Sequence, residues 1–279
     1  MSVTVSGVMA VLDAVYPTRL AEEWDTGIGL TCGDPTSRVD RVLLAVDVDP
    51  AVVGEARDMG AQMLITHHPL FFRPVQSVAT STDKGALVHT LIRSGIAHFV
   101  AHTNADRAAD GVNDALADAL GIVDVEPLVP AHSAADPREG LGRVGMLRRP
   151  VTLREFMAQV AAALPATAGG VRATGSGDRL VRRVAVCGGS GGSVLEAANA
   201  CGADVYVTSD ITHHTAAEHV VDPRRPALIN VAHWAGEWPW LARAAAVIES
   251  AFGGAVSATI STLCTDAWTL QVPGSENQV

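Results

Sequence analysis

Residues 41–69 read RVLLAVDVDPAVVGEARDMGAQMLITHHP. The apolar run Arg41 to Asp47 is a buried strand. Pro50 opens a helix at its first turn, where a missing N–H costs nothing. Gly60 ends that helix, and Ala61 to Thr66 forms the next strand. This is a βαβ unit of parallel type, so the fold is α/β. The second strand runs into His67 and His68, and Pro69 then turns the chain. Open α/β sheets place their sites just past the carboxyl ends of strands. Two imidazoles there are candidate metal ligands. Consecutive strand residues point in opposite directions, so the pair can share a site only if the backbone turns, as Pro69 suggests.

Outward from this unit the pattern repeats. Val8 to Leu20 reads as a short amphipathic helix broken at Pro17. The acidic, glycine-bearing stretch from Glu22 to Leu30 reads as a loop, either a surface turn anchored by Trp24 or one wall of a site. Asp83 to Ser94 is a helix stopped by Gly95, and Ile96 to Ala101 is a strand. That strand runs into His102-Thr103-Asn104-Ala105-Asp106. A helix follows from Asp110 to Gly121, with acidic groups near its positive end.

Residues 122–140 are rich in Pro, Asp and Ala and read as a connection. We therefore expect a first α/β unit over residues 1–125, a linker over 126–150 and a second unit over 151–279. The last part of the second unit, from about residue 225, would return to complete the site. In the second unit Thr152-Leu153-Arg154-Glu155 is a capping-box pattern. Strands are expected at Gly142–Leu147, Leu180–Val186, Ala203–Thr208, Ala227–Val231 and around Ala267–Val272. Helices are expected to Leu164 and over Val194–Ala200, His214–Val221 and Trp238–Ala251. The polar tail 273–279 is expected to carry no fixed structure.

Glu55-Ala56 with Gly60-Ala61 and a strand to Thr66 is echoed by Glu196-Ala197 with Gly202-Ala203 and a strand to Thr208. Two copies of one α/β unit follow from that echo. The doublet His213-His214 is out of register with it, so its likeness to His67-His68 is treated as chance.

Cys187-Gly188-Gly189-Ser190-Gly191-Gly192-Ser193 lies between a strand and a helix. Such a turn can cradle an anion with its N–H groups, or it can be a tight packing turn. Gly188, Gly189, Ser190 and Gly191 are the candidate phosphate-binding residues. The run is neither a Walker loop nor a GxGxxG fingerprint.

Composition bounds the function. The chain has 279 residues, 48% of them hydrophobic and 4% aromatic, so the core is built mainly from Ala, Val and Leu. The net charge of −10 argues against a broad nucleic-acid or anionic-membrane surface. No apolar run approaches the ~20 residues that span a bilayer. Met1 to Ala10 carries no basic residue, so no export signal is expected. The four cysteines lack paired metal-binding spacing. They are expected to be reduced thiols in a cytoplasmic protein.

Three strand ends carry potential ligands: His67 with His68, His102 to Asp106, and His233 to Glu237. Imidazole and carboxylate together suit Zn, Fe, Mn or Ni. His233 and Glu237 share one face if that segment is helical. Five strong ligands exceed the three of a typical mononuclear catalytic zinc. They suit two ions, ~3.5–4 Å apart in known two-metal sites.

Several motifs together resemble the Nif-three-like family of dinuclear metal-centre proteins, the GTP cyclohydrolase I type 2 homologues. They are Trp24-Asp25 with Gly29-Leu30, Thr66 to Phe71, His102-Thr103-Asn104 with Asp106, and Asp110 to Asp114. Gly140-Leu141-Gly142-Arg143, Cys187 to Ser193, Ser209-Asp210 with His214, and His233 with Glu237 complete the match.

The resemblance implies metal ligands at His67, His68, Asp106, His233 and Glu237. It places His102, Asp210 and His214 along the cavity as candidate catalytic groups. It implies two divalent ions per subunit, a hexameric ring, and a nucleotide-like substrate whose ring is attacked by water. A phosphoesterase on the same metals, or a non-enzymatic metal-dependent ring, would use the same residues. The chain departs from the family pattern at Thr26, Ser209 and His213, and it lacks the domain that longer relatives insert mid-chain.

Overall fold

The computed structural model describes residues 2–132 and 134–272. The tail 273–279 lies outside the described residues. α1 (Val5–Val15) is capped by the Thr4 hydroxyl, which accepts from the Gly7 N–H. Pro17 ends it, and a single 3-10 turn (Thr18–Leu20) follows. The chain continues through β1 (Gly29–Cys32), β2 (Arg41–Ala45), α2 (Pro50–Asp58), β3 (Met63–Thr66), α3 (Asp83–Arg93) and β4 (Ala97–Val100). Pro50 does sit in the first turn of α2, and the Asp49 carboxylate caps it.

β2, β3 and β4 are parallel neighbours in one sheet, ordered β1-β4-β3-β2 with β11 (Ser257–Ile260) beyond β2. After β4 come the five-residue α4 (Thr103–Arg107) and then α5 (Val112–Ala119). The second half comprises β5 (Ile122–Pro130), β6 (Gly140–Thr152), α6 (Leu153–Ala163), β7 (Arg172–Ala173), β8 (Leu180–Ser190) and α7 (Leu195–Ala200). It continues with β9 (Val205–Ser209), α8 (His213–His219), β10 (Ala227–Asn230), α9 (His233–Glu237) and α10 (Trp240–Phe252). β8, β9 and β10 are parallel neighbours in the second sheet, of order β5-β6-β8-β9-β10-β7. β11 (Ser257–Ile260) then crosses back to pair with β2 in the first sheet. Each unit thus has three parallel strands. The third strand of each leads to a five-residue helix and then a longer one, so the internal echo is structural.

Three expectations are corrected. The expected linker, 126–150, falls within an antiparallel hairpin of β5 and β6. Pro127 and Pro130 suggested a break, but β5 is an edge strand, and prolines are tolerated where one N–H side faces no partner. Gly29 and Leu30, the end of the stretch read as loop, open β1, an antiparallel edge strand on β4. Ala267–Val272 has strand-like alternation yet forms no strand. β11 already occupies the free edge of β2, and Ser261 N–H closes that pairing on Leu44 O at 2.8 Å.

A hydrophobic cluster runs through both units, from Val5 and Leu12 to Trp240 and Ile248. Tyr16 and Trp240 meet edge to face with centroids 5.6 Å apart. Among the described residues no helix is long and apolar enough to cross a membrane.

Candidate metal centre

The chain bends at His67 and His68, directly after β3, while their N–H groups still bond Ala45 O and Val46 O. The bend lets two consecutive side chains converge, with ring centroids 5.0 Å apart. β4 passes through His102 into α4, which carries Asp106 in its only turn. β10 passes through Val231 and Ala232 into α9, which starts at His233 and ends at Glu237. The carboxyl ends of parallel strands from both sheets therefore meet at one place.

Glu237 is the hub. Its carboxylate lies 3.0 Å from His233 Nε2, 3.0 Å from His68 Nε2 and 3.4 Å from His67 Nε2. Asp106 lies 3.6 Å from His67 Nε2. His68 Nε2 and His233 Nε2 are 3.2 Å apart. Two groups of three donors suit a cation: His67, His68 and His102, and His68, His233 and Glu237.

The tautomers follow from the partners. Each imidazole turns Nδ1 to a group that can only accept: Ala101 O for His67 (2.9 Å), Asp47 for His68 (2.6 Å), Asp25 for His102 (2.8 Å) and Asp210 for His233 (2.5 Å). Nδ1 therefore carries the proton, and Nε2 is directed to the centre. This is how proteins orient histidine ligands from outside.

The electrostatics describe a donor set filled by protons. Burial alone would raise Glu237, but the imidazoles of His68, His67 and His233 outweigh it and hold the carboxyl well below its usual range. Burial would lower His68, yet Glu237 and Asp47 hold it well above the usual imidazole value. His233 is likewise raised to about 9, against burial, by Glu237 and Asp210. Burial raises the Asp106 carboxyl. His67 Nε2, Asp106 Oδ1 and Glu237 Oε2 are buried with no hydrogen-bond partner. Such atoms are costly. Lone pairs converging from imidazoles and carboxylates fit a divalent cation.

The other expected residues separate into two groups. Asp210 adopts a left-handed φ of 57°, which turns the chain after β9 and places its carboxylate on His233. The same turn sends α8 outward. His214 is exposed in its first turn and does not line the cavity. That corrects the expectation for His214. The glycine run is largely the end of β8. Gly188 N–H donates to Asn113 Oδ1 at 2.9 Å, while Gly189 O accepts from Thr208 and Gly191 O from Tyr206. Gly189 has φ +65°, and a Cβ there would collide with Glu237. These bonds favour the packing-turn reading, because close approach to Glu237 is what the glycine permits.

Asp25, which orients His102, stands in the sequence only within the Trp24-Asp25 motif and without a role, and Asp47, which orients His68, is not among the candidate residues. Trp240, whose ring lies 5.5 Å from that of His67, was missed as well. Only Asp47 had a positional signal, as a carboxylate just beyond a parallel strand.

The centre lies in a cavity of about 930 Å³. A family model described as Duf34/NIF3 (NGG1p interacting factor 3) matches residues 3–267. The chain belongs to this family. A Streptomyces coelicolor relative named GTP cyclohydrolase 1 type 2 homolog is 46% identical over 271 residues, spanning 96% of this chain and 94% of its own. A Mycobacterium tuberculosis relative of the same name is 38% identical over 374 aligned residues, spanning 97% and 98%. That alignment exceeds the 279 residues of this chain, so the relative carries residues absent here. Among solved structures, a Bacillus cereus protein related to NIF3 superposes with a TM-score of 0.88 at 25% identity, covering 97% of this chain and 100% of its own. A Staphylococcus aureus protein gives 0.86 at 26%, covering 96% and 99%. The two-sheet α/β fold of this chain is thus the NIF3-family fold without an inserted middle domain.

Proposed function

We propose that this NIF3-family chain is a dinuclear-metal hydrolase of the GTP cyclohydrolase I type 2 kind, acting on the ring of a nucleotide-like small molecule. The observation that carries the reading is the Glu237 carboxylate within 3.0–3.4 Å of His68, His233 and His67, with Asp106 3.6 Å from His67. His67, His68, Asp106, His233 and Glu237 would hold two divalent ions, and His102 faces the same space. Ions held there supply a water of lowered pKa and neutralise developing negative charge.

The chain's own residues do the rest. Asp25 fixes His102 through Nδ1 and is itself held by the Thr103 hydroxyl at 2.6 Å. His102 Nε2 is therefore the atom that accepts or returns a proton within the cavity. Asp47 and Asp210 keep His68 and His233 in their ligand tautomer. Trp240 closes the apolar side of His67 and excludes water there.

The test is direct. Metal-loaded protein incubated with GTP should release formate and lose that capacity when the metal is chelated. Release of phosphate without formate would favour the phosphoesterase reading. Turnover of neither GTP nor simple phosphoesters would leave a metal-dependent scaffold.

The reading includes a hexameric ring, in which contact between copies would cover exposed apolar side chains such as Val221 and Leu270. Light scattering at micromolar concentration should give a mass near six chains, and a monomer mass would overturn the ring.

A further inference from the structure

One buried histidine stands outside the metal centre. His98, on β4, has no exposed surface. It is paired in register with Leu64, whose side chain belongs to the apolar cluster of Val52 and Leu91. Burial pushes the imidazole down to about 4, so the ring is neutral at neutral pH. A neutral imidazole carries one proton, on one of its two nitrogens.

Thr66, the last residue of β3, decides which. Its Oγ1 lies 2.7 Å from His68 O and 2.9 Å from His98 Nε2. A carbonyl only accepts, so the single hydroxyl proton goes to His68 O. His98 Nε2 must then donate to Oγ1. The proton sits on Nε2, and Nδ1 is left buried with no hydrogen-bond partner among the described residues. A bare lone pair in the core costs free energy. An apolar residue there would carry no such cost, so the bond to Thr66 is what the histidine supplies.

That bond acts on the bend after β3, which lets His67 and His68 converge. His68 N–H is held by Val46 O at 2.8 Å, and the ring by Asp47 at 2.6 Å. The next peptide joins His68 to Pro69, which has no N–H to donate. Its carbonyl is the one hydrogen-bonding group of that peptide, and Thr66 holds it. The bend aims His68 Nε2 at Glu237, 3.0 Å away, and at His233, 3.2 Å away.

We infer that His98 and Thr66 are positioning residues of the metal centre, linked as His98 Nε2–H to Thr66 Oγ1 and Thr66 Oγ1–H to His68 O. This rests on the reading of the cavity as a metal centre and adds two residues that touch no ion. The direction of the link depends on the tautomer. A proton on Nδ1 would make Nε2 an acceptor and draw the hydroxyl proton away from His68 O.

The test is Zn²⁺ affinity of the full-length protein, read by competition with a chromophoric chelator, beside urea unfolding of the metal-free protein. Thr66→Val keeps the shape and removes the hydroxyl. It should weaken Zn²⁺ binding roughly 10–100-fold, the range for losing a group that orients a ligand from outside. His98→Leu should weaken it too, without lowering the urea midpoint. Thr66→Ser keeps the hydroxyl and His98→Gln keeps a donor, so both should bind as wild type does. The double variant Thr66→Val with His98→Leu should bind no worse than Thr66→Val alone, because His98 acts only through the hydroxyl. Imidazole ¹⁵N NMR of the metal-free wild type should show His98 neutral, with its proton on Nε2.

A His98 proton on Nδ1 overturns the inference even if no variant folds. So does unchanged Zn²⁺ affinity in Thr66→Val or His98→Leu, or losses that add in the double variant. Wild type that takes up no Zn²⁺ overturns the metal centre and this link together, whereas wild-type uptake with indifferent variants overturns the link alone.

Discussion

Arg143→Met is expected to destabilise the protein by about 3–5 kcal/mol, the usual cost of removing one partner from a buried ion pair. Arg143 is 1% exposed, on β6. Its guanidinium grips the Asp114 carboxylate of α5 in two bonds, of 3.0 and 2.6 Å. It also donates to Ala108 O, Gly140 O and Gly142 O at 2.7–2.9 Å. One side chain therefore satisfies acceptors on both units and fixes the chain between α4 and α5, just beyond Asp106. Met fills similar volume but donates nothing, so the three carbonyls and Asp114 lose their partner. Urea unfolding of wild type and variant gives the difference. A loss below about 1 kcal/mol would mean that water replaces the guanidinium at little cost. The double variant Arg143→Met with Asp114→Leu should cost less than the sum of the singles, because it leaves no unpaired charge. The exposed pair of Arg224 and Asp222 is the control, and Arg224→Ala should not move the midpoint measurably.

The units joined by Arg143 were legible in the sequence to different depths. Pro50, Gly60 and the run to Thr66 reveal the first parallel unit because each acts locally: an N-terminal proline, a glycine stop, a buried strand. The β5–β6 hairpin is hidden because proline counts against a strand only if the strand is central, and position in a sheet is not a local property. Ala267–Val272 misleads for the same reason. Its alternation is real, but β11 takes the edge it would need.

The five ligand candidates could be found because the ends of parallel strands converge, and the structure does bring them together. Their supports could not. Asp25 reaches His102 from a loop 77 positions away, and the Trp24-Asp25 motif marks the loop without saying which residue it supports. The two histidine doublets look alike as text. Only the left-handed turn at Asp210 sends the second one outward.

Glu237→Gln tests the centre itself. The change is isosteric and removes one charge at the point where His67, His68 and His233 meet. We expect the variant to keep its fold and to lose at least one bound ion. Its apparent metal affinity should fall by more than the roughly 10–100-fold that mutation of an orienting partner costs. Asp47→Asn supplies that milder comparison, since Asp47 only orients His68. Elemental analysis after gel filtration reads both, and full metal content in the Gln variant would sink the assignment of Glu237.

The metal-free protein adds a second readout, with a definite sign. The folded pKa of His233 is raised, to about 9, so its pairing with Glu237 stabilises fully below the unfolded value of about 6.5 and is lost as pH rises through 9. Glu237 is depressed, so its contribution is present above the ordinary Glu range and lost on acidification below it. The wild-type advantage over Glu237→Gln in chelator-treated samples should therefore be largest near pH 6 and shrink by pH 9.5. Metal reverses the slope. An ion must displace the protons on His68 and His233, so uptake should release protons and tighten as pH rises toward 9. A wild-type advantage that does not change with pH in the absence of metal would show that these imidazoles are not charged against Glu237.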